Sequence, residues 1–460
     1  MNHRWRWIPQ TEVNNMKRIR LTLCLLMFSA IATLALAASA TAQTVVVGTG
    51  NPDLDVPAVQ AAVDQGGEVI LKGHFSFDSP PTVATAPELA VLTGGFATVL
   101  VSKAVVISGT QDGDEERASI EAGTSPFYVD APGASVTIQG VRFIRPKSSA
   151  ILVYSVSGLV IASCKIEGLE PVLGTGAVLR GGSGIAIVTS PGVPTLMNPG
   201  KPEKISGTLL IVNNDLDLAG ATAEETAQGV GIFSVGVPGA QVEAYISGNK
   251  IRNVTEHAIN IRRVVGRVYV ERNVITTGSL GRTAARIQAI RVVNLGSYLI
   301  AHNSIDCGWA PGDAQGIGVF SQIAAWPMEG AVVVDNDITM SAPEGTVFGD
   351  FSAAIQVYGF TEGTVVLNNR LRGRARAALS VFPFFPSAVP ANNAFVLNRV
   401  DHFEASVADL FVGLGALNTR IVGVGTVEDH DTGTTIVRLP RPGEREDDHS
   451  RARSLPSASL

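Results

Sequence analysis

His257, Arg262 and Arg291 are the residues whose types and spacing point most directly to chemistry. Two guanidinium groups aimed at one point would neutralise a carboxylate and acidify the proton next to it. A neutral imidazole beside them would remove that proton. This is the equipment for eliminating a polyuronate, with Lys250 a little further round the chain. Hydrolysis asks instead for two carboxyl groups about 5–5.5 Å or 6.5–9.5 Å apart. Asp313 and Asp350 are the candidates for that role, with Glu344, Asp306 and Glu256 nearby. Each residue also has a structural reading, in which Arg262 and Arg263 solvate a surface, His257 caps a strand and the acids are turn residues.

The elements that would position these residues are set by a repeat. An asparagine recurs after a short alternating run and two residues before an aliphatic residue, at Asn214, Asn249, Asn273, Asn303, Asn336, Asn369 and Asn398. The steps are 35, 24, 30, 33, 33 and 29 residues. A repeat that keeps its core while its loops vary marks a solenoid. Most repeats open with a glycine and a period-2 run, such as Gly266-Arg267-Val268-Tyr269-Val270, which reads as a strand. The asparagine turns the chain, a short second strand follows, and a variable loop leads to a third. The third strands align as Gly229-Val230-Gly231-Ile232, Ala258-Ile259-Asn260-Ile261, Ala289-Ile290-Arg291-Val292, Gly316-Ile317-Gly318-Val319 and Ala354-Ile355-Gln356-Val357. Three strands in about 30 residues predict a parallel β-helix, since a propeller blade needs four strands in about 40 or more.

Stacked asparagines at one bend are expected to turn inward and bond to each other and to the backbone; the alternative is seven exposed turn formers. With the aliphatic residues of the third strand inward, the residues between them face out. One outward column contains Asn260, Arg291 and Gln356. The next contains Tyr154, Phe233, Arg262, Phe320, Tyr358 and Phe382, and is rich in rings for a chain that is 6% aromatic. Tyr154, Phe233, Asn260, Phe320, Gln356, Tyr358 and Phe382 would together suit a sugar chain, whose rings have apolar faces and polar rims. Alternatively, loops cover these rings as a satellite core.

The chain resembles the pectate-lyase-like right-handed parallel β-helix superfamily, including the carbohydrate-binding and sugar-hydrolysis β-helix repeat proteins, over residues 50–440. Its opening, Asp53 to Gly73, is similar to the capping helix and first strand of that family. Asp55 is expected as N-cap, Pro57 in the first turn, and Gly66-Gly67 at the helix end. The resemblance implies substrates along the outer face of the strand after the variable loop. The polygalacturonase pattern of paired Asp, Gly-His-Gly and Arg-Ile-Lys is absent, and Arg286-Ile287-Gln288 echoes only its last part. Asp429-His430-Asp431 is similar to an alginate epimerase triplet but lacks its flanking residues.

The fold expected is therefore all-β, a single-domain right-handed parallel β-helix of about ten three-strand coils with a short N-terminal capping helix. Residues 1–42 read as a secretory signal, with Met16 an alternative start, an apolar run from Leu21 to Ala38 and a small-x-small site at Ala40-Thr41-Ala42. An uncleaved anchor is the alternative. Residues 43–130 would hold the cap and first coils, 131–440 the repeats, and 441–460 a disordered tail. Without the signal the formal charge falls from −6 to about −10, which with no basic run disfavours nucleic acid. Cys164, at the asparagine position of its coil, and Cys307, on the inward parity, are expected as buried thiols too far apart to pair. No Cys/His spacing suggests a metal; no cofactor is identified, and calcium is left open.

These readings converge on a monomeric protein, secreted or held in the periplasm or cell envelope with no lasting membrane insertion, that binds a polysaccharide. Lyase-type cleavage of a polyuronate is the finer expectation, ahead of hydrolysis. The rival is a non-catalytic envelope or surface scaffold or adhesin.

Overall fold

The computed structural model describes residues 43–78, 98–109, 117–123, 125–147, 149–170, 181–188, 205–219, 226–233, 242–278, 286–310, 313–423, 425–431 and 433–437. The expected signal segment and tail lie outside them. From Thr44 onward the chain forms one compact unit, a right-handed parallel β-helix in which each strand pairs with its counterpart one coil away. No helix among the described residues is long and apolar enough to cross a membrane.

The asparagine column is an inward ladder. Asn214, Asn249, Asn273, Asn303, Asn336 and Asn369 are all buried. In each step one Oδ1 accepts both the backbone N–H and the side-chain amide of the asparagine in the preceding coil, as from Asn249 to Asn273 at 3.0 and 3.0 Å. The same amide also donates to a strand carbonyl, Ile211 in the case of Asn249, at 2.9 Å. Cys164 takes the ladder position in its coil, where its backbone N–H donates to Asn214 Oδ1 at 2.9 Å. Both Cys164 and Cys307 are buried free thiols, and burial pushes Cys164 up to about 11 and Cys307 up to about 12.

The residue before each ladder asparagine makes the bend itself. Asn213, Gly248, Arg272, His302, Asp335, Asn368 and Leu397 all lie in the left-handed region, with φ between 52° and 68°. Glycine occupies this position once. Elsewhere the ladder bonds offset the strain that an L side chain meets there.

The helix α1 (Pro52–Gln65) caps the first coils, but its start differs from expectation. Asn51 is the N-cap and accepts from Asp53 N. Asp55 is buried inside the first turns, where its carboxylate accepts from Thr49 N, Thr49 Oγ1 and Ser76 N, each at 2.8 Å. It ties the helix to the strands beside it instead of starting the helix. Pro57 consequently sits within the helix, which ends at Gly66 with φ 75°.

The third strands carry the candidate site: β1 (Thr226–Phe233), β2 (His257–Arg262), β3 (Arg286–Val293), β4 (Asp313–Ser321), β5 (Ala353–Gly359) and β6 (Arg370–Phe382). In β6 the second and third strands of a coil run together without a break. Ile259, Ile261, Ile290, Val292, Ile317, Val319, Ile355 and Val357 point into one continuous core. The alternate residues therefore form columns on the outer face, in the register Gly231, Asn260, Arg291, Gly318, Gln356, Ser380.

Candidate functional site

The second outward column is in register from Phe233 through Arg262, Val293, Phe320 and Tyr358 to Phe382. It is not an open row of rings. Phe320 is fully buried, and Tyr358 and Tyr154 nearly so. Phe351, just before β5, and Phe384, just after β6, fold onto the row and pack with Val293, Phe320, Tyr358 and Phe382. Phe320 and Tyr358 stack at 4.3 Å, and Phe351 meets the Tyr358 ring at 5.7 Å. Burial pushes the Tyr358 hydroxyl up to about 12. Tyr154 belongs to a separate cluster with Tyr128 and Leu152, and the Phe233 side chain lies outside the described residues. The exposed platform is thereby corrected: apolar rings on an outer face lower their free energy by recruiting loop rings as cover.

Beside the rings lies a chain of polar contacts. Arg262 Nε donates to Asn260 Oδ1 at 3.3 Å, and Asn260 Nδ2 donates to Gln228 Oε1 at 3.1 Å. Gln228 Nε2 then donates to Glu256 Oε2 at 2.7 Å. The other Glu256 oxygen lies 3.3 Å from His257 Nε2, and Arg291 Nη1 reaches that same nitrogen at 3.0 Å. The Arg291 guanidinium also lies over the Phe320 ring at 4.9 Å. A second run links Gln288 to Gln315 at 2.8 Å and Gln315 to Gln356 at 2.5 Å. The structure thus brings His257, Arg262, Arg291, Asn260 and Gln356 onto one face.

Access and charge define what this cluster can do. His257, Asn260 and Gln356 are buried, whereas Glu256, Arg262 and Arg291 are partly accessible. Desolvation pulls the His257 imidazole down to about 4, with Arg291 and Arg262 acting the same way and Glu256 opposing. The imidazole is therefore neutral at physiological pH. Desolvation alone would raise Glu256, but His257, Arg291 and Arg262 outweigh it and hold the carboxyl well below its usual range. Desolvation and the neighbouring Arg262 bring Arg291 down to about 9. His257 Nδ1, Arg291 Nε, Gln288 Oε1, Gln356 Nε2 and Ser380 Oγ have no hydrogen-bond partner. Such atoms cost about 1–3 kcal/mol each when buried without a partner, and these five are the polar groups of this face that a bound ligand or water would satisfy.

The hydrolytic candidates are each held by an arginine of their own. Asp313 is the first residue of β4 and not part of a loop; it is buried and paired with Arg286 at 2.8 Å. Desolvation raises its pKa against the pull of Arg286. Asp350 is 80% exposed and contacts Arg376 at 3.3 Å, an arrangement of one buried and one solvated acid, each with its own arginine. Asp429 and His430 lie at the last coils, where His430 contacts Glu428 at 2.7 Å. Among the described residues, no group of three or more His, Cys, Asp or Glu is placed to hold a metal ion.

The glutamines at 228, 288 and 315 escaped the sequence reading. With His257, they directly precede the small residues Gly229, Ala258, Ala289 and Gly316 that begin the aligned strands. His257, Gln288 and Gln315 pair in register. Extending the alignment by one residue would have shown a polar column.

No protein-family model and no curated protein matches the chain. Among solved structures it is similar to the Streptococcus pneumoniae surface protein and adhesin PfbA, at 11% identity and TM-score 0.48, covering 86% of this chain and 100% of that one. It is also similar to the A-module of the Azotobacter vinelandii mannuronan C-5 epimerase AlgE4, at 12% identity and TM-score 0.36, covering 85% and 96%. At these values the likeness says nothing about which side chains act.

Proposed function

We propose that this is a secreted or cell-envelope β-helix protein that engages a carboxylate-bearing polysaccharide at Glu256, His257, Arg262 and Arg291, and that the chemistry available there is β-elimination. One observation carries the reading: a neutral imidazole with an unpartnered ring nitrogen beside two partly accessible arginines. Nε2 of His257 lies between a donor, Arg291, and an acceptor, Glu256. A neutral nitrogen serves only one of them. While Arg291 donates to Nε2, the ring proton sits on Nδ1. A uronate carboxylate that draws Arg291 away lets the ring proton exchange through water from Nδ1 to Nε2, where it is donated to Glu256, and leaves a lone pair on Nδ1. That nitrogen is buried and must be uncovered as the substrate seats; it then takes the proton α to the carboxylate, a carbon–carbon double bond forms as the β carbon–oxygen bond to the next sugar breaks, and the departing oxygen takes a proton from water. Arg262 and Arg291 stabilise the charge that develops on the carboxylate. Calcium dependence is read in the same assays.

Polygalacturonate and alginate with purified protein test this, reading unsaturated-uronate absorbance and binding by calorimetry. Arg291→Ala should lower turnover by about 10²–10³-fold, while Arg252→Ala, ion-paired with Asp215 at 3.0 Å, should not. Absence of both product and binding would end the reading. Release of reducing ends without unsaturation would move the search to Asp313 and Asp350. The burial of Phe320 and Tyr358 favours a second reading, a non-catalytic surface scaffold or adhesin; binding without any product would select it.

A further inference from the structure

The outer face of the third strands is open over only part of its length. Every residue of β4 and β5 is buried, on the outer face as well as the inner one. The rings of Phe351 and Phe384 cover them, 5.9 Å apart and each 5.7 Å from the Tyr358 ring. On the other side of the site Gly231 is buried, and beyond it Leu152, Tyr154 and Ala186 pack with Tyr128. Between these stretches the accessible charged groups belong to β2, β3 and the residue before β2: Glu256, Arg262, Arg291 and Arg286, the last held by Asp313. The opening is thus two strands wide, about 4.8 Å from one to the next, which matches the length of a single sugar ring. Charge is confined in the same way. Among the described residues of the two outward columns from Leu152 to Phe382, only Arg262 and Arg291 are charged. Glu256 is ionised beside them, so the cluster carries one net positive charge, which one carboxylate balances. A polyuronate lying along the columns would set its next carboxylates against Gly318, Phe320 and Tyr358, where an unpaired charge is costly.

We propose that the site holds a single uronate and that this uronate is the end of a chain. The inference rests on the polysaccharide reading above and narrows its substrate to the reducing-end residue of an oligo- or polyuronate. The direction follows from the bonds. Elimination joins the α and β carbons by a double bond, and the bond that breaks links the β carbon to the neighbour on the non-reducing side. A residue held alone in the opening must still carry that neighbour, so it is the residue at the reducing end. Its α proton goes to His257, and the oxygen of the departing chain takes a proton from water. The products are one unsaturated monouronate and a chain shorter by one residue. Phe351 and Phe384 stand across the columns on one side of the opening, so the departing chain leads outward into solvent.

The test titrates the full chain by calorimetry with polygalacturonate or alginate, with the trimer of the same uronate, and with that trimer after borohydride has reduced its end to the alditol. One protein should bind per sugar chain whatever its length. Trimer and polymer should agree within about twofold in Kd per mole of chain ends, and the alditol should bind about tenfold more weakly or worse. As product forms, unsaturated monouronate should accumulate while the viscosity of the polymer stays constant. Phe351→Ala combined with Phe384→Ala, folded by circular dichroism, should uncover the columns and admit several proteins per polymer chain while leaving the trimer Kd unchanged. Several wild-type proteins on one polymer chain, a rapid fall in viscosity with mixed oligomers, or an alditol that binds as well as the trimer would overturn the inference and leave the carboxylate reading standing. A folded double variant that still binds once per chain overturns it too, and if that variant does not fold the wild-type stoichiometry decides. No binding of any uronate ends the carboxylate reading, and this inference with it.

Discussion

Asn336 Oδ1 accepts two hydrogen bonds from Asn303, one from its backbone N–H at 3.0 Å and one from its side-chain amide at 2.9 Å. Asn336→Ala removes both and leaves the Asn303 backbone N–H without its acceptor in a buried bend. A loss of about 1–3 kcal/mol is expected for the stranded donors. Asn398→Ala, at a half-buried position nearer the end of the ladder, should cost less. Ser297→Ala, on an exposed strand end, should change little. Urea midpoints of the three variants check the order; three equal, negligible shifts would remove the ladder from the account of stability.

Leu397 occupies the left-handed bend with φ 54° and is 45% exposed, so little packing holds it there. An L residue pays about 1–2 kcal/mol for that conformation, and glycine returns part of the gain through its more flexible unfolded chain. Leu397→Gly is therefore expected to stabilise by about 0.5–1 kcal/mol. Gly248→Ala should do the opposite, since φ is 68° and an added Cβ would lie 2.4 Å from Asn213 Oδ1. Thermal midpoints moving in the same direction for both would contradict the bend assignment.

Phe320 is a packing residue before it is anything else. Truncation to alanine should cost about 3–5 kcal/mol, the range for a buried phenylalanine, because Tyr358 and the Arg291 guanidinium lose their common surface. Val347→Ala, at a position 87% exposed, should be silent. If Phe320→Ala instead left the denaturation midpoint unchanged while weakening sugar binding, the ring would be an accessible platform after all.

The coil architecture was legible because a repeat multiplies weak local signals: one asparagine before an aliphatic residue means little, and the same pair in successive coils specifies the ladder from Asn214 to Asn398. The outward columns were legible as well, since register follows from the inward aliphatic residues. What covers a column was not. Phe351 and Phe384 come from loops with no repeat, and nothing local says that they fold back on Tyr358. The helix start slipped by one turn for a related reason. Asp55 has the side chain of an N-cap, but tertiary partners at Thr49 and Ser76 claimed it.

His257 links stability and chemistry through pH. Its folded value, about 4, lies below the ordinary 6.5, so between those values the unfolded chain binds a proton that the native protein does not. Stability therefore falls as pH drops from 6.5 to 4, by about 3 kcal/mol for a shift of this size, and no further below that from this group. Glu256 is depressed, so its contribution is present above the ordinary carboxylate value and is lost at lower pH, in a more acidic window. Replacing the imidazole with an uncharged amide, His257→Gln, should flatten the slope between pH 6.5 and 4 and leave the more acidic limb in place. Urea unfolding across that range measures both. The same protonation state governs the proposed elimination: with a base that stays neutral down to about pH 4, the acid limb of kcat/KM on a polyuronate should fall near that value and not near 6.5. An acid limb centred near 6.5, or an unchanged stability slope in His257→Gln, would mean that the imidazole is not held neutral at this site.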